Sequence, residues 1–155
     1  MRALLVIDVQ KEFIDSNGRY YEAVEFIKRS KKNYDCVIAI AFKNKESSRF
    51  SADLAFNGCM HTDKNSIEFD YDCFFIKDTY SFDVKQFLPK GIEYDVIGCN
   101  TEACVLATCF RLWDEEYKFN VLIDKVYSTC AGLDKQQVEL MFNNTFGKCI
   151  KKSDL

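Results

Sequence analysis

The sequence is poor in the patterns that usually bind metals or frame disulfides. Its single histidine, His61, has no evident ligand partner nearby, and no Cys-x-x-Cys motif occurs, so we expect neither a zinc site nor another cofactor. The 8 cysteines lie mostly inside apolar runs rather than around loops. In a reducing compartment, cysteines in such positions are commonly small, buried hydrophobic residues.

The sequence also lacks a long apolar run and an excess of positive charge. Nowhere do about 18 apolar residues run together, which argues against a membrane span, and the apolar start before Asp8 is too short for a signal peptide. The formal net charge of -3 at pH 7 argues against a nucleic-acid partner, because neutralising phosphates requires a concentrated excess of Lys and Arg. We therefore expect a cytoplasmic protein that binds neither nucleic acid nor a membrane.

Strand-like apolar runs alternate with helix-like segments along a chain long enough for one domain, residues 1–155. We predict strands at residues 2–8, 35–42, 73–76, 94–97, 119–124 and, as a short edge strand, 149–151, and helices at about 20–32, 103–117 and 134–146. This alternation predicts right-handed crossovers and a parallel sheet with helices on both faces. The polar, irregular segment 43–72 is long for a connection, which is typical of functional loops.

Three polar residues lie where apolar, strand-like runs end. Asp8 ends the first strand, Lys77 ends the third, and Cys104 lies between the fourth strand and the following helix. Because the carboxyl ends of parallel strands share one edge of a sheet, these groups are predicted to converge although they are far apart in sequence.

A carboxylate, an ammonium group and a thiol together could support nucleophilic catalysis. In the first turn of a helix, the thiol of Cys104 would be favoured as thiolate, and backbone N–H groups there could hold an oxyanion. A thiol nucleophile needs a base, which Asp8 could be, and Lys77 would hold that base and favour negative charge. Each residue alone also has an ordinary explanation, as a packing cysteine, a turn aspartate and a lysine that reaches solvent.

Three fragments of the sequence, at residues 3–13, 76–82 and 98–108, carry a resemblance to a known family. In their order and spacing the chain resembles the isochorismatase-like cysteine hydrolases, which include nicotinamidases, N-carbamoyl amide hydrolases and isochorismatases. The likeness spans almost the whole chain. It implies a three-layer α/β/α fold, Rossmann-like, with a six-stranded, mainly parallel sheet in the strand order 3-2-1-4-5-6.

The resemblance also implies roles for individual residues. Asp8, Lys77 and Cys104 would form the catalytic triad, in which Asp8 takes the thiol proton and Cys104 attacks a carbonyl to form a thioester. A cis peptide bond would join Cys99 and Asn100, and the backbone N–H groups of Asn100 and Cys104 would form the oxyanion hole.

The sequence departs from the family after the second strand, in residues 41–50. Nicotinamidases place an aspartate and histidines there to bind a metal, but no Asp-x-His occurs here, so we expect no catalytic metal and do not expect nicotinamide as substrate. The retained Cys104 favours cleavage of a C–N bond over the vinyl ether of isochorismate. Phe13, Phe50 and Tyr80 could wall a pocket for a small, planar substrate, and His61 is expected in a surface loop.

The sequence thus predicts a metal-independent cysteine hydrolase of a small amide or carbamoyl compound. Because pockets in this family are often completed by a neighbouring subunit, we expect a homo-oligomer. The alternative is a non-catalytic binding or scaffold protein on the same fold. A hydrolase needs an accessible thiolate near neutral pH, so its Cys104 would have a pKa well below the free value of about 8.5, whereas a pseudoenzyme would show an ordinary thiol.

Overall fold

The computed structural model describes residues 1–14, 19–130 and 132–154. The strands are β1 Arg2–Ile7, β2 Cys36–Phe42, β3 Cys73–Lys77, β4 Glu93–Cys99, β5 Lys118–Tyr127 and β6 Ile150–Lys151. The helices are α1 Lys11–Ile14, α2 Arg19–Ser30, α3 Arg49–Leu54, α4 Val84–Phe87, α5 Leu106–Asp114 and α6 Lys135–Phe146. No helix in these described ranges has both the length and the apolar character needed to span a membrane.

The strands form one six-stranded sheet in the order β3-β2-β1-β4-β5-β6, and the neighbouring pairs are parallel. This confirms the predicted fold class and strand order. β1 lies in the middle of the sheet, where Ile7 is paired with Ile40 on one side and with Gly98 on the other. The carboxyl ends of β1, β2, β3 and β4 therefore lie along the same edge.

Both faces of the sheet are covered, which explains why β1 is a continuous apolar run. Leu5 and Ile7 belong to a hydrophobic cluster with residues of α4, α5 and α6. Leu4 and Val6 point to the opposite face and pack with residues of α2. A strand buried on both faces needs apolar residues at every position rather than at alternate ones.

Gly98 allows β4 to approach β1 closely at the edge where Asp8 lies. Its φ is +130°, and a Cβ atom at this position would lie 1.9 Å from the carbonyl oxygen of Ile7. No side chain fits that space, so glycine is required here.

The structure differs from the sequence-based prediction mainly in short or distorted helices. The predicted helix at 103–117 is a π-helical turn at Thr101–Val105 followed by α5. The segment 43–72 contains α3, and Ser48 caps the N-terminus of this helix. The Ser48 side chain accepts a hydrogen bond from the Ser51 N–H. α1 and α4 were not predicted, because four residues are too few to show a helical hydrophobic period.

Candidate active site

Asp8 and Lys77 form a buried ion pair at the carboxyl edge of the sheet. Lys77 Nζ lies 2.7 Å from Asp8 Oδ2, and the side chains are 3% and 1% exposed respectively. Lys77 Nζ also donates to the carbonyl oxygen of Thr79 at 2.9 Å. Burying two charges is costly unless they pair with each other and form further hydrogen bonds. The Lys77 ammonium meets both conditions.

Cys104 lies in the π-helical turn that follows β4, where it is buried and adjoins the ion pair. Its thiol interacts electrostatically with both Asp8 and Lys77. Asp8 Oδ1 accepts no regular hydrogen bond from the described residues, while Asp8 Oδ2 is paired with Lys77 Nζ at 2.7 Å. The structure therefore brings together the three residues that the sequence analysis selected.

Burial and the neighbouring charges set the protonation of the three groups together. Burial raises the pKa of Asp8, and the charge of Lys77 opposes this rise. Burial lowers the pKa of Lys77, but Asp8 and Cys104 together outweigh it, so the lysine stays a cation. Because a second negative charge beside Asp8 is unfavourable, the site holds one anionic charge and one proton between Asp8 and Cys104.

The expectation of a depressed thiol pKa at Cys104 is not supported. Burial raises the pKa of Cys104, the charge of Asp8 raises it further, and Lys77 only partly compensates. Cys104 precedes α5, which begins at Leu106, and therefore does not occupy the first turn of that α-helix. In the resting site Cys104 is a thiol, and its proton can pass to Asp8 without changing the net charge of the site.

The loop between β4 and the π-helical turn has an unusual backbone. The peptide bond between Cys99 and Asn100 is cis, which is where the family resemblance placed such a bond. The carbonyl oxygen of Asn100 accepts hydrogen bonds from the N–H groups of Ala103 and Val105, both at 3.1 Å. These bonds fold the loop back so that Asn100 and Cys104 line the same cavity.

This cavity has a volume of about 350 Å³, and Cys104 forms part of its wall. Phe13, Phe50 and Tyr80, the residues suggested as pocket walls, all line it. The rings of Phe50 and Tyr80 meet edge to face with centroids 4.9 Å apart. Pockets of a few hundred cubic ångströms with apolar walls and few polar groups are typical of small-molecule sites.

Comparison with known proteins gives a match in structure but none in sequence. The sequence matches no protein-family model and no curated protein. The N-carbamoylsarcosine amidase of Thermoplasma acidophilum is 19% identical, with a TM-score of 0.76 over 99% of this chain and 97% of that one. A nicotinamidase of Bacillus subtilis is 16% identical, with a TM-score of 0.70 over 97% and 99% of the two chains.

A third solved structure has a similar fold. An isochorismatase-like hydrolase from Alkaliphilus metalliredigens is 17% identical, with a TM-score of 0.72 over 97% of this chain and 94% of that one. The chain has the isochorismatase-like hydrolase fold. At these identities the likeness concerns the fold, and the chemistry of this chain has to be argued from its own residues.

Within this isochorismatase-like fold, the cavity contains residues that the sequence analysis did not select. They are Glu12, Phe42, Leu54, Phe56, Glu102, Ala103 and Thr129. Phe42 could have been found, because it is the last residue of β2 and so reaches the same sheet edge as Asp8 and Lys77. Phe56 follows α3 in the segment that has no periodic pattern, and nothing in its sequence context indicates where it lies.

Gln10 is a further residue that the sequence analysis missed. It is fully buried, donates from Nε2 to the carbonyl oxygen of Phe42 at 3.0 Å, and accepts at Oε1 from the Phe42 N–H at 2.7 Å. Its Nε2 also donates to Thr62 Oγ1 at 3.0 Å. Gln10 thus fixes the end of β2, and with it the Phe42 ring in the cavity wall.

The described residues contain no group of three or more His, Cys, Asp or Glu side chains arranged to hold a metal ion. His61 is exposed and does not line the cavity. In the segment after β2, Asn44 Nδ2 instead donates to the carbonyl oxygen of Phe56 at 2.8 Å, and Asn44 Oδ1 accepts from Ser48 Oγ at 2.6 Å. Asn44 has a structural role here in ordering the loop that carries α3.

Proposed function

We propose that the protein is a hydrolase of small amide or carbamoyl compounds, with Cys104 as nucleophile, Asp8 as base and Lys77 as their cationic partner. The observation that carries this proposal is the meeting of the three groups at one edge of the sheet, where Cys104 forms part of the wall of a small cavity. Asp8 and Lys77 are held by a 2.7 Å ion pair, and Cys104 lies against both. A nucleophile, a base and a group that orients the base are the parts that covalent catalysis requires.

The first step forms a thioester. The sulfur of Cys104 bonds to the carbonyl carbon of the substrate while the thiol proton moves to Asp8, and the carbonyl oxygen becomes an oxyanion. When the oxyanion collapses, the C–N bond breaks and the leaving nitrogen takes the proton from Asp8. Ammonia or an amine departs, and the acyl group remains on Cys104.

The second step releases the acid and restores the site. A water molecule attacks the thioester carbon and gives a proton to Asp8. The C–S bond then breaks, the carboxylic or carbamic acid leaves, and the sulfur regains its proton. Asp8 takes and returns a proton in each step, and a carboxyl whose pKa is raised by burial is suited to both directions.

We assign stabilisation of the oxyanion to the loop that contains the cis peptide bond. The backbone N–H groups of Asn100 and Cys104 are our candidates, because both residues line the cavity next to the nucleophile. Lys77 faces Asp8 and the thiol rather than solvent, so its charge favours the anionic sulfur during the attack. This mechanism uses no metal.

The size and walls of the cavity support a small substrate with a flat or apolar part. We also propose that a neighbouring subunit borders the cavity in a homo-oligomer. Leu54 and Tyr80 line the cavity and yet are 60% and 44% exposed. Large apolar side chains exposed beside a pocket are candidates for burial by a partner.

The experiment that tests the function is trapping of the acyl-enzyme. A panel of small primary amides and carbamoyl compounds is incubated with the protein, released ammonia is measured, and the mass added to Cys104 is sought by peptide mass spectrometry. We expect ammonia release and a thioester on Cys104, both lost in Cys104→Ala. The matched control is Cys73→Ala, because Cys73 is exposed and lies at the opposite end of its strand from Lys77.

The rival function is a non-catalytic binding protein, and one observation favours it. Cys104 is a buried thiol whose pKa is raised, as expected for a cysteine that has no nucleophilic role. The two functions differ in the dependence on Asp8: a hydrolase loses reactivity of Cys104 in Asp8→Asn, whereas a binding protein does not. Binding of an amide with no acyl-enzyme and no ammonia release would establish the rival.

A further inference from the structure

The cavity beside Cys104 is lined by acidic but not by basic side chains. Among the described lining residues, Glu12 and Glu102 carry carboxylates, and no lysine, arginine or histidine is present. Glu12 is exposed, whereas Glu102 is partly buried and lies two residues before Cys104 in the π-helical turn. The charged groups of this wall are therefore carboxylates, which accept hydrogen bonds and attract positive charge.

Glu102 has an unused acceptor atom. Its Oε2 is buried and has no hydrogen-bond partner among the described residues. A buried carboxylate oxygen without a partner is unfavourable, so such an atom in a native protein calls for an explanation, of which a bound ligand or ion is one. Glu102 itself lines the cavity, so its carboxylate group lies next to the space that a bound substrate would occupy.

Two cations near this wall, Lys77 and Arg19, have hydrogen-bond partners outside it. The Lys77 ammonium is engaged by Asp8 Oδ2 and the carbonyl oxygen of Thr79, at 2.7 and 2.9 Å. The guanidinium of Arg19 donates to the carbonyl oxygen of Ser128 at 3.1 Å, and Arg19 does not line the cavity. With Asp8 and Lys77 balancing each other, the cavity keeps an excess of negative charge from its glutamates.

Aromatic rings make up much of the remaining wall. The rings that line the cavity are Phe13, Phe42, Phe50, Phe56 and Tyr80. They contact one another, with the Phe13 and Phe56 rings stacked at 5.3 Å and the Phe42 and Phe50 rings edge to face at 4.7 Å. Aromatic faces carry negative electrostatic potential, and together with a carboxylate they form a favourable environment for an organic cation.

We propose that the substrate is a small amide or carbamoyl compound that carries a cationic group, such as a substituted ammonium. The cation would lie between Glu102 and the aromatic rings while the carbonyl carbon faces Cys104. This inference rests on the proposed function and narrows it to one class of substrate. A carboxylate on the substrate would be disfavoured, because it would lie beside the like charges of the two glutamates that line the cavity.

Two amides of nearly the same shape test the inference. Trimethylammonioacetamide and 3,3-dimethylbutanamide differ in one atom, a quaternary nitrogen in place of a quaternary carbon, so they separate charge from size. We expect the rate of ammonia release, as kcat/KM, to be at least about tenfold higher for the cationic amide. Equal values for the two amides would overturn the inference while leaving the hydrolase intact.

Variants identify the residue that recognises the charge. In Glu102→Gln the preference for the cationic amide, as the ratio of the two kcat/KM values, is expected to fall at least about fivefold. Glu139→Gln is the matched control, because Glu139 lies on α6 and not in the cavity. A preference that is unchanged in Glu102→Gln would overturn the assignment. The comparison of the two amides in the unmodified protein does not depend on whether this variant folds.

Binding separates failure of this inference from failure of the proposed function. Cys104→Ala cannot turn over substrate, so the affinities of the two amides for it are measured by calorimetry at equilibrium. Tighter binding of the cationic amide supports the inference even where the unmodified protein releases no ammonia. Equal binding overturns it even where both amides are hydrolysed.

Discussion

Lys77 reaches across a strand to pair with Asp8. Lys77 ends β3 and Asp8 follows β1, while β2 lies between these strands in the sheet. Lys77 Nζ lies 5.2 Å from the centroid of the Phe42 ring and 2.7 Å from Asp8 Oδ2. The ion pair therefore links three neighbouring strands at the edge where the cavity opens.

Replacing Lys77 by methionine is expected to destabilise the protein by about 3 to 5 kcal/mol, since Asp8 is left as a buried charge without its partner. Denaturant unfolding measures this change. The double variant with Asp8→Asn should recover part of the loss, because no unpaired charge then remains, yet it should not recover turnover. Full stability in Lys77→Met alone would show that the pair does not hold the site together.

The control for this prediction is Lys45→Met. Lys45 forms an ion pair with Asp78 at 3.0 Å, but both side chains are more than half exposed. Exposed pairs contribute about 0 to 1 kcal/mol, so this substitution should change the free energy of unfolding little.

The pH dependence of Cys104 alkylation should report Asp8 rather than the thiol alone. Below the pKa of Asp8 the carboxyl already holds a proton and cannot accept that of Cys104, so alkylation is slow. Burial raises this pKa, so the rate should rise with pH above the ordinary carboxyl value of about 3.9 and then level off. A further rise is expected only above the ordinary thiol value of about 8.5, because the pKa of Cys104 is also raised.

Site-resolved mass spectrometry after brief alkylation measures this profile, with the other seven cysteines as internal controls. In Asp8→Asn the acidic rise should disappear, and Cys104 should react only at alkaline pH. A single transition near 8.5 in the unmodified protein, shared with the exposed Cys73, would rule out Asp8 as the base.

The sheet and its polar end residues could be predicted from the sequence because they depend on local patterns. A run such as Ala3 to Ile7 can be buried on both faces only inside a parallel sheet, and a charged residue directly after it has to lie at the carboxyl edge. Strand order depends on contacts between distant segments, and only the resemblance to a known fold supplied it. The ends of the strands were predicted less accurately, since β4 continues two residues past its predicted end at residue 97.

The chemistry of the cavity was harder to predict, because it depends on distances that no local pattern encodes. Gln10 and Glu102 are ordinary polar residues in the sequence, and only the fold shows that one fixes Phe42 and the other has a buried oxygen without a partner. The direction of the Cys104 pKa shift was predicted wrongly for the same reason. A helix terminus was expected to lower it, but the burial of the thiol beside Asp8 dominates.

Gly98→Ala is expected to disrupt the junction between β1 and β4, because the added Cβ would lie 1.9 Å from the carbonyl oxygen of Ile7. Backbone atoms at that distance have to separate, and Asp8 directly follows Ile7. We expect a loss of about 4 kcal/mol or more, or failure to fold, measured by thermal and denaturant unfolding. Gly91→Ala is the control: its φ is also positive, at +85°, but nothing lies within 4 Å of the added carbon. A similar effect of both substitutions would assign the cost to backbone conformation alone.

Gln10→Leu tests whether Gln10 shapes the cavity by fixing the end of β2. Leucine fills a similar volume but leaves the backbone N–H and carbonyl of Phe42 without the partners that Gln10 provides. Buried groups that lose their partners cost about 1 to 3 kcal/mol, so stability should fall by that amount. Because Phe42 lines the cavity, KM for a substrate should rise more than kcat falls, whereas reactivity of Cys104 should be preserved. Alkylation and steady-state kinetics on the same preparation separate these effects, and a loss of kcat with KM unchanged would place Gln10 in the positioning of the triad instead.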